Sequence, residues 1–125
     1  MRALVVDDSS AMRAFLRLIL RDAGFEVTEA RNGRDGLERL HGTDIPDLVL
    51  LDWNMPEMNG FEMLQRVRRD PGLREMRVMM VTTETELAEM SRALGAGADE
   101  YVMKPFTREV ILDKLQILGL GAPAL

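Results

Sequence analysis

The chain has 125 residues, 46% hydrophobic and 30% charged, which suits one ordinary globular domain; splitting it would leave neither half a good core. Its net charge of -5 disfavours non-specific nucleic-acid binding, which depends on basic patches, and the absence of cysteine excludes a disulfide framework, a zinc-thiolate site and a cysteine nucleophile. Met1-Arg2 leads into four apolar residues and two aspartates, which is no signal peptide, and no apolar run approaches membrane-spanning length, so the cytoplasm is the expected compartment.

The first apolar run, Ala3 to Val6, is continuous, as in a parallel strand covered on both faces, and it ends in Asp7-Asp8. After Ser9-Ser10, apolar residues fall at Met12, Phe15, Leu16, Ile19, Leu20 and Ala23, and Gly24 stops the run. That is an N-cap, one helical stripe and a C-terminal glycine. "FEVTEA", Phe25 to Ala30, alternates apolar and polar and reads as an edge strand, and Leu37 and Leu40 mark a weaker helix. Leu48 to Leu51 is a second continuous run, ending in Asp52; the chain then turns through Asn54, Pro56 and Asn59-Gly60. Phe61, Leu64 and Val67 have helical spacing up to the break at Arg69 to Gly72. A third run, Val78 to Val81, ends in Thr82-Thr83. Leu87, Met90 and Leu94 mark the next helix, Gly95 to Gly97 a break, and Tyr101 to Met103 a last continuous run that ends in Lys104-Pro105. Val110, Ile111, Leu115 and Leu118 form the final stripe before "GLGAPAL". Five strands alternating with five helices predict an α/β domain, a parallel sheet with helices on both faces, whose site lies at the carboxyl ends of the strands.

Those ends carry Asp7, Asp8, Asp52, Thr82 and Lys104. Taken singly, Asp8 reads as a helix cap, Asp52 as a turn former, Thr82 as a common strand residue and Lys104 as a solvated charge. Jointly they occupy one functional rim. Two carboxylates about 4 Å apart repel by about 4 kcal/mol at an effective dielectric of about 20, a penalty that one lysine does not offset among three acids. A hard divalent cation does, and magnesium suits one or two carboxylates plus phosphate oxygens better than calcium does. With a phosphoryl group brought in, Asp52, ending the central strand, is the best nucleophile, and the hydroxyl and ammonium bind phosphoryl oxygens.

"VVDDSSAMR", "LLDWNMPEMNGFEML", "VTTE" and "YVMKPF" together resemble the motifs of response-regulator receiver domains, nearest to the small stand-alone chemotaxis regulators of the CheY type. The resemblance implies a flavodoxin-like, doubly wound fold with strand order 2-1-3-4-5 and a single receiver domain over 1–125, with no output domain after it. It implies that Asp52 accepts a phosphoryl group from a phosphohistidine on a histidine kinase. Asp8 and Asp52 ligate Mg2+ with the backbone carbonyl of Asn54, and Asp7 acts largely through a bound water. Thr82 and Lys104 hold phosphoryl oxygens, Thr82 and Tyr101 form the switch, and the Lys104-Pro105 bond is cis. Asn54 and Glu84 tune dephosphorylation, while Thr83 departs from the family, which usually has a smaller residue there, and crowds the pocket. Met90, Tyr101, Met103 and Lys114 are expected on a face that binds the output partner, such as a flagellar motor switch protein, although a plain core role suits Met90 equally well; a phosphatase is a further partner.

His41, the only histidine, reads as a surface residue, so the chain is not its own phosphohistidine donor, and most of the ten methionines fall at core spacing. The expectation is a cytoplasmic monomer that is not an enzyme and binds neither nucleic acid nor membrane. Competing readings are a phosphorelay or cell-cycle receiver, a receiver excised from a larger regulator, and a magnesium-dependent aspartyl-phosphate phosphatase or phosphotransferase. That last class needs a second carboxylate two residues after the nucleophile, where this chain has Asn54. A flavin-binding module fits poorly, because Asp7-Asp8 would repel the phosphate.

Overall fold

Continuous apolar runs need cover on both faces, and the fold supplies it. In the computed structural model, which describes residues 1–41, 44–83 and 88–121, the strands are β1 (Arg2–Val6), β2 (Glu26–Ala30), β3 (Leu48–Asp52), β4 (Arg77–Thr82) and β5 (Glu100–Met103). They form one parallel sheet in the order β2-β1-β3-β4-β5, the order that the resemblance implies. Every residue of β3 is buried, as are all of β4 after Arg77. β2 alternates between exposed and covered positions, as an edge strand should. The run Tyr101 to Met103 differs from its expectation. β5 is the opposite edge, so Val102 is buried while Met103 remains 40% exposed.

The helices are α1 (Ser10–Asp22), α2 (Gly33–Glu38), α3 (Gly60–Arg69), α4 (Met90–Gly95) and α5 (Arg108–Ile117), with a short 3-10 turn at Pro71–Leu73 that overlaps the predicted break. Leu40 and Leu118 lie just beyond α2 and α5, and Leu87 lies outside the described residues. Ser9 caps α1 by accepting from the Met12 amide. Asn59 and Glu62 form a reciprocal capping box that starts α3 where the sequence suggested only a turn.

Because side chains alternate across a strand, each strand feeds two cores. Ala3, Val5, Leu48, Leu50, Met79 and Val81 pack with Leu16, Ile19 and Leu20 of α1 and Ile111 and Leu115 of α5. Leu4, Val6, Val49, Leu51, Val78 and Met80 pack with Met63, Leu64 and Val67 of α3 and Met90 and Ala93 of α4. The central strands are thus held on both faces, and their carboxyl ends are fixed relative to one another.

Gly60 brings α3 close against that rim. Its amide donates to the Trp53 carbonyl at 2.9 Å, and a Cβ at this position would run into the carbonyl oxygen of Asp52. Gly60→Ala is expected to destabilise the fold by about 3 kcal/mol, as forced overpacking does. Urea unfolding checks this; a loss below about 1 kcal/mol would mean that the turn after Asp52 yields freely.

Candidate functional site

The parallel register carries the ends of β1, β3, β4 and β5 to one edge. Asp7 continues the ladder past β1, donating its amide to the Ala30 carbonyl at 3.1 Å. Asp52 is the last residue of β3 and pairs with Val81. Trp53 then donates to the Val81 carbonyl at 3.0 Å, and Lys104 to the Thr82 carbonyl at 2.6 Å. Asp7, Asp8, Asp52 and Lys104 therefore meet, and Thr82 ends the neighbouring strand β4 at the same edge. Each aspartate offers a carboxylate oxygen within 4.8 Å of the others.

The carboxylates differ in environment. Asp8 is exposed, whereas Asp7 is 1% and Asp52 4% exposed. Lys104 Nζ lies 3.0 Å from Asp52 Oδ1 and 3.8 Å from Asp7 Oδ2. Asp7 Oδ1 accepts from the Ser9 amide at 2.8 Å, but Asp7 Oδ2 is buried without a hydrogen-bond partner. Burial, and then the neighbouring Asp7 charge, push the Asp52 carboxyl up to about 6 against the hydrogen bond and charge of Lys104. Burial likewise raises the Asp7 carboxyl, with the Ser9 amide and the Lys104 charge working against it. One ammonium does not neutralise the pair.

The remaining candidates are more scattered. Asn54 is exposed in the loop after β3, and Glu84 lies outside the described residues. Thr82 is fully buried, with its hydroxyl donating to the Thr83 carbonyl at 3.3 Å; Thr83 itself is half-buried. Tyr101 is half-buried, with Lys114 Nζ 5.1 Å from its ring centre and bonded to Glu100 at 2.9 Å. Met103 and Tyr101 do share the β5 edge with Lys114 of α5. Met90 does not belong to that face: it is 3% exposed and packs in the core with Ala93, since the apolar side of α4 is turned onto the sheet. The Lys104-Pro105 bond is cis and His41 is exposed. One contact went unanticipated, that of Arg13 with the Asp7 carbonyl at 2.7 Å. Its only trace in the sequence is a basic residue one turn into α1.

The sequence profile of the response regulator receiver domain matches residues 3–116. This chain belongs to that family. It is 42% identical over 119 residues to chemotaxis protein CheY1 of Helicobacter pylori, covering 94% of this chain and 96% of that one. It is also 42% identical over 117 residues to chemotaxis protein CheY of Pseudomonas aeruginosa, covering 93% and 94%. The solved structure of chemotaxis response regulator CheY4 of Vibrio cholerae superposes with a TM-score of 0.86 at 35% identity, covering 94% of this chain and 97% of that one. The domain is thus a CheY-like receiver of two-component response regulation, and none of its described helices is long and apolar enough to cross a membrane.

Receivers bind Mg2+ in an acidic pocket, and this pocket fits such an ion. Its donors are hard carboxylate oxygens within 4.8 Å of one another, and Asp7 Oδ2, buried without a hydrogen bond, is an oxygen that a cation would satisfy.

The raised Asp52 carboxyl fixes a pH dependence. Its native value of about 6 exceeds the ordinary 3.8, so the native state binds this proton more tightly than the unfolded chain does. Stability of the metal-free protein therefore rises as pH falls through this window, by about 1 kcal/mol from Asp52 between about pH 7.5 and about pH 5. Asp52→Asn is expected to raise metal-free stability at neutral pH and to flatten that slope. Urea titrations of both proteins at the two pH values check this, and an unchanged slope in the variant would place the titration elsewhere.

Proposed function

We propose that this receiver accepts a phosphoryl group on Asp52 from a phosphohistidine of a histidine kinase and then alters its binding to a downstream protein. The observation that carries this reading is a buried carboxylate ending the central strand, flanked by two more acids and contacted by one ammonium at 3.0 Å. An oxygen of Asp52 attacks phosphorus, and the new O–P bond forms as the N–P bond to the donor imidazole breaks, its electron pair returning to the ring nitrogen. Asp7, Asp8, Asp52 and the Asn54 carbonyl would hold Mg2+, which when bound neutralises charge on the phosphoryl oxygens. Lys104 and the Thr82 hydroxyl take the other oxygens.

The hydroxyl of Thr82, drawn toward the phosphoryl group, would open space for Tyr101 to turn inward, altering the face made by Tyr101, Met103 and Lys114. Asn54, exposed at the loop, orients an attacking water and shortens the phosphate's lifetime; Glu84 would flank the same path. Thr83 narrows the entrance. The chain is then a phosphoacceptor that assists its own phosphorylation and dephosphorylation, not an enzyme with a separate substrate. The relatives named above are chemotaxis proteins, which favours a cytoplasmic role in chemotaxis, with a flagellar motor switch protein as the downstream target.

Trp53 follows Asp52 directly and packs on Phe61, with ring centres 5.5 Å apart, so its fluorescence is a built-in probe. Mg2+ is expected to change that emission. Acetyl phosphate added next should add one phosphoryl group by intact mass and cause a second change that decays when the donor is removed. Asp52→Asn should lose both the mass shift and the second change; stoichiometric labelling of that variant would sink the assignment.

A further inference from the structure

We infer that Arg13 is a positioning residue for the metal-binding carboxylates, acting through the main chain of Asp7; this inference rests on the proposed Mg2+ site. Asp7 is tied at three points. Its amide bonds to Ala30 of β2, its Oδ1 accepts from the Ser9 amide, and its carbonyl accepts from Arg13 Nη1 at 2.7 Å. The first extends the ladder between β1 and β2, and the second is local to the turn between β1 and α1. The third is a side chain sent back from α1 to the end of β1.

Arg13 is itself held. Its Nε donates to Glu29 Oε1 at 3.2 Å, the other oxygen of Glu29 accepts from Arg17, and the Arg13 side chain is only 19% exposed. Glu29 sits on β2, paired in register with Val5. One guanidinium therefore joins α1, β2 and the junction where β1 becomes the acidic loop. Its planar fork serves Glu29 and the Asp7 carbonyl at once, a geometry that an ammonium does not reproduce. The consequence is that Asp7 Oδ2, the oxygen without a hydrogen-bond partner, stays aimed at the site, and Asp8, the next residue, is presented beside it.

The direction of the effect separates positioning from plain electrostatics. A fixed positive charge near an acidic cluster repels Mg2+, so if charge alone mattered, deleting Arg13 would tighten binding. If positioning dominates, deletion weakens it, by about tenfold, as loss of outer-shell support to metal ligands does. Mg2+ titrations followed by Trp53 fluorescence would compare the unsubstituted chain with Arg13→Ala, Arg13→Lys and Arg17→Ala. Arg17→Ala removes an ion pair to the same Glu29 and makes no contact with Asp7, so it controls for the loss of a surface charge and should bind like the unsubstituted chain. Arg13→Lys keeps the charge without the fork and should fall between.

Amide exchange in the metal-free proteins gives a readout that needs no ion. The Asp7 and Ser9 amides should exchange faster in Arg13→Ala and not in Arg17→Ala. Mg2+ binding that is unchanged or tighter in Arg13→Ala, or equal to the unsubstituted chain in Arg13→Lys, overturns the role of Arg13. Should Arg13→Ala fail to fold, Arg13→Lys carries the comparison by the same criterion. No Mg2+ response in the unsubstituted chain overturns the reading of the site itself, and the role of Arg13 with it.

Discussion

Asp7 and Asp52 are two acids almost wholly removed from water and placed beside a single ammonium. Burial penalises their charged forms, the Asp7 charge further raises the cost of ionising Asp52, and Lys104 bonds one while standing 3.8 Å from the second. Such an arrangement persists only if the rest of the molecule imposes it. The strain is electrostatic rather than steric, and a divalent cation or a change in proton occupancy can relieve it. The same mismatch makes the site responsive: the repulsion within the acidic cluster favours cations that offset it.

What imposes it is the parallel sheet. Alternating side chains send β1, β3 and β4 into two separate cores, so these strands cannot slide without exposing one set or the other. Their carboxyl ends arrive at one rim with little freedom, and main-chain bonds extend the order past the strands, through Asp7, Trp53 and Lys104. Gly60 allows α3 to start directly against the Asp52 carbonyl, and Arg13 ties α1 and β2 to the Asp7 carbonyl. The flexible-looking loop residues therefore inherit rigidity from the cores beneath them. The edge strand β5 is the exception, half-covered and carrying Tyr101 and Met103, which suits the part of the molecule expected to change its contacts.

Much of this was legible from residue order. Continuous apolar runs ending in Asp7-Asp8, Asp52, Thr82 and Lys104 specify both a buried parallel sheet and what stands at its rim, because strand direction and side-chain identity are local properties. Ser9 and Gly24 likewise announce the ends of α1. Less legible were features that depend on which neighbour an element meets. Met90 has the spacing of a face that is either exposed or buried, and only the packing of α4 on the sheet decides that it is core. The run Tyr101 to Met103 looks like the interior runs, yet its strand is last in the sheet and so lacks cover. Arg68, an ordinary basic residue of α3, reaches across to the Gly97 carbonyl and to Asp99 in the loop before β5, a pairing that no spacing rule announces.

The sequence by itself determined the element types, their alternation and the chemistry available at the strand ends, since these follow from hydrophobic period, turn residues and side-chain type along a few neighbouring positions. The tertiary structure alone decided that Asp7 and Asp52 are buried while Asp8 is exposed, that Asp7 Oδ2 has no hydrogen-bond partner, and that Arg13 rather than a nearer residue secures the Asp7 carbonyl. Burial and hydrogen-bond partnership are properties of pairs of segments far apart in the chain. They come into being only when the sheet register and the helix packing have brought those segments together.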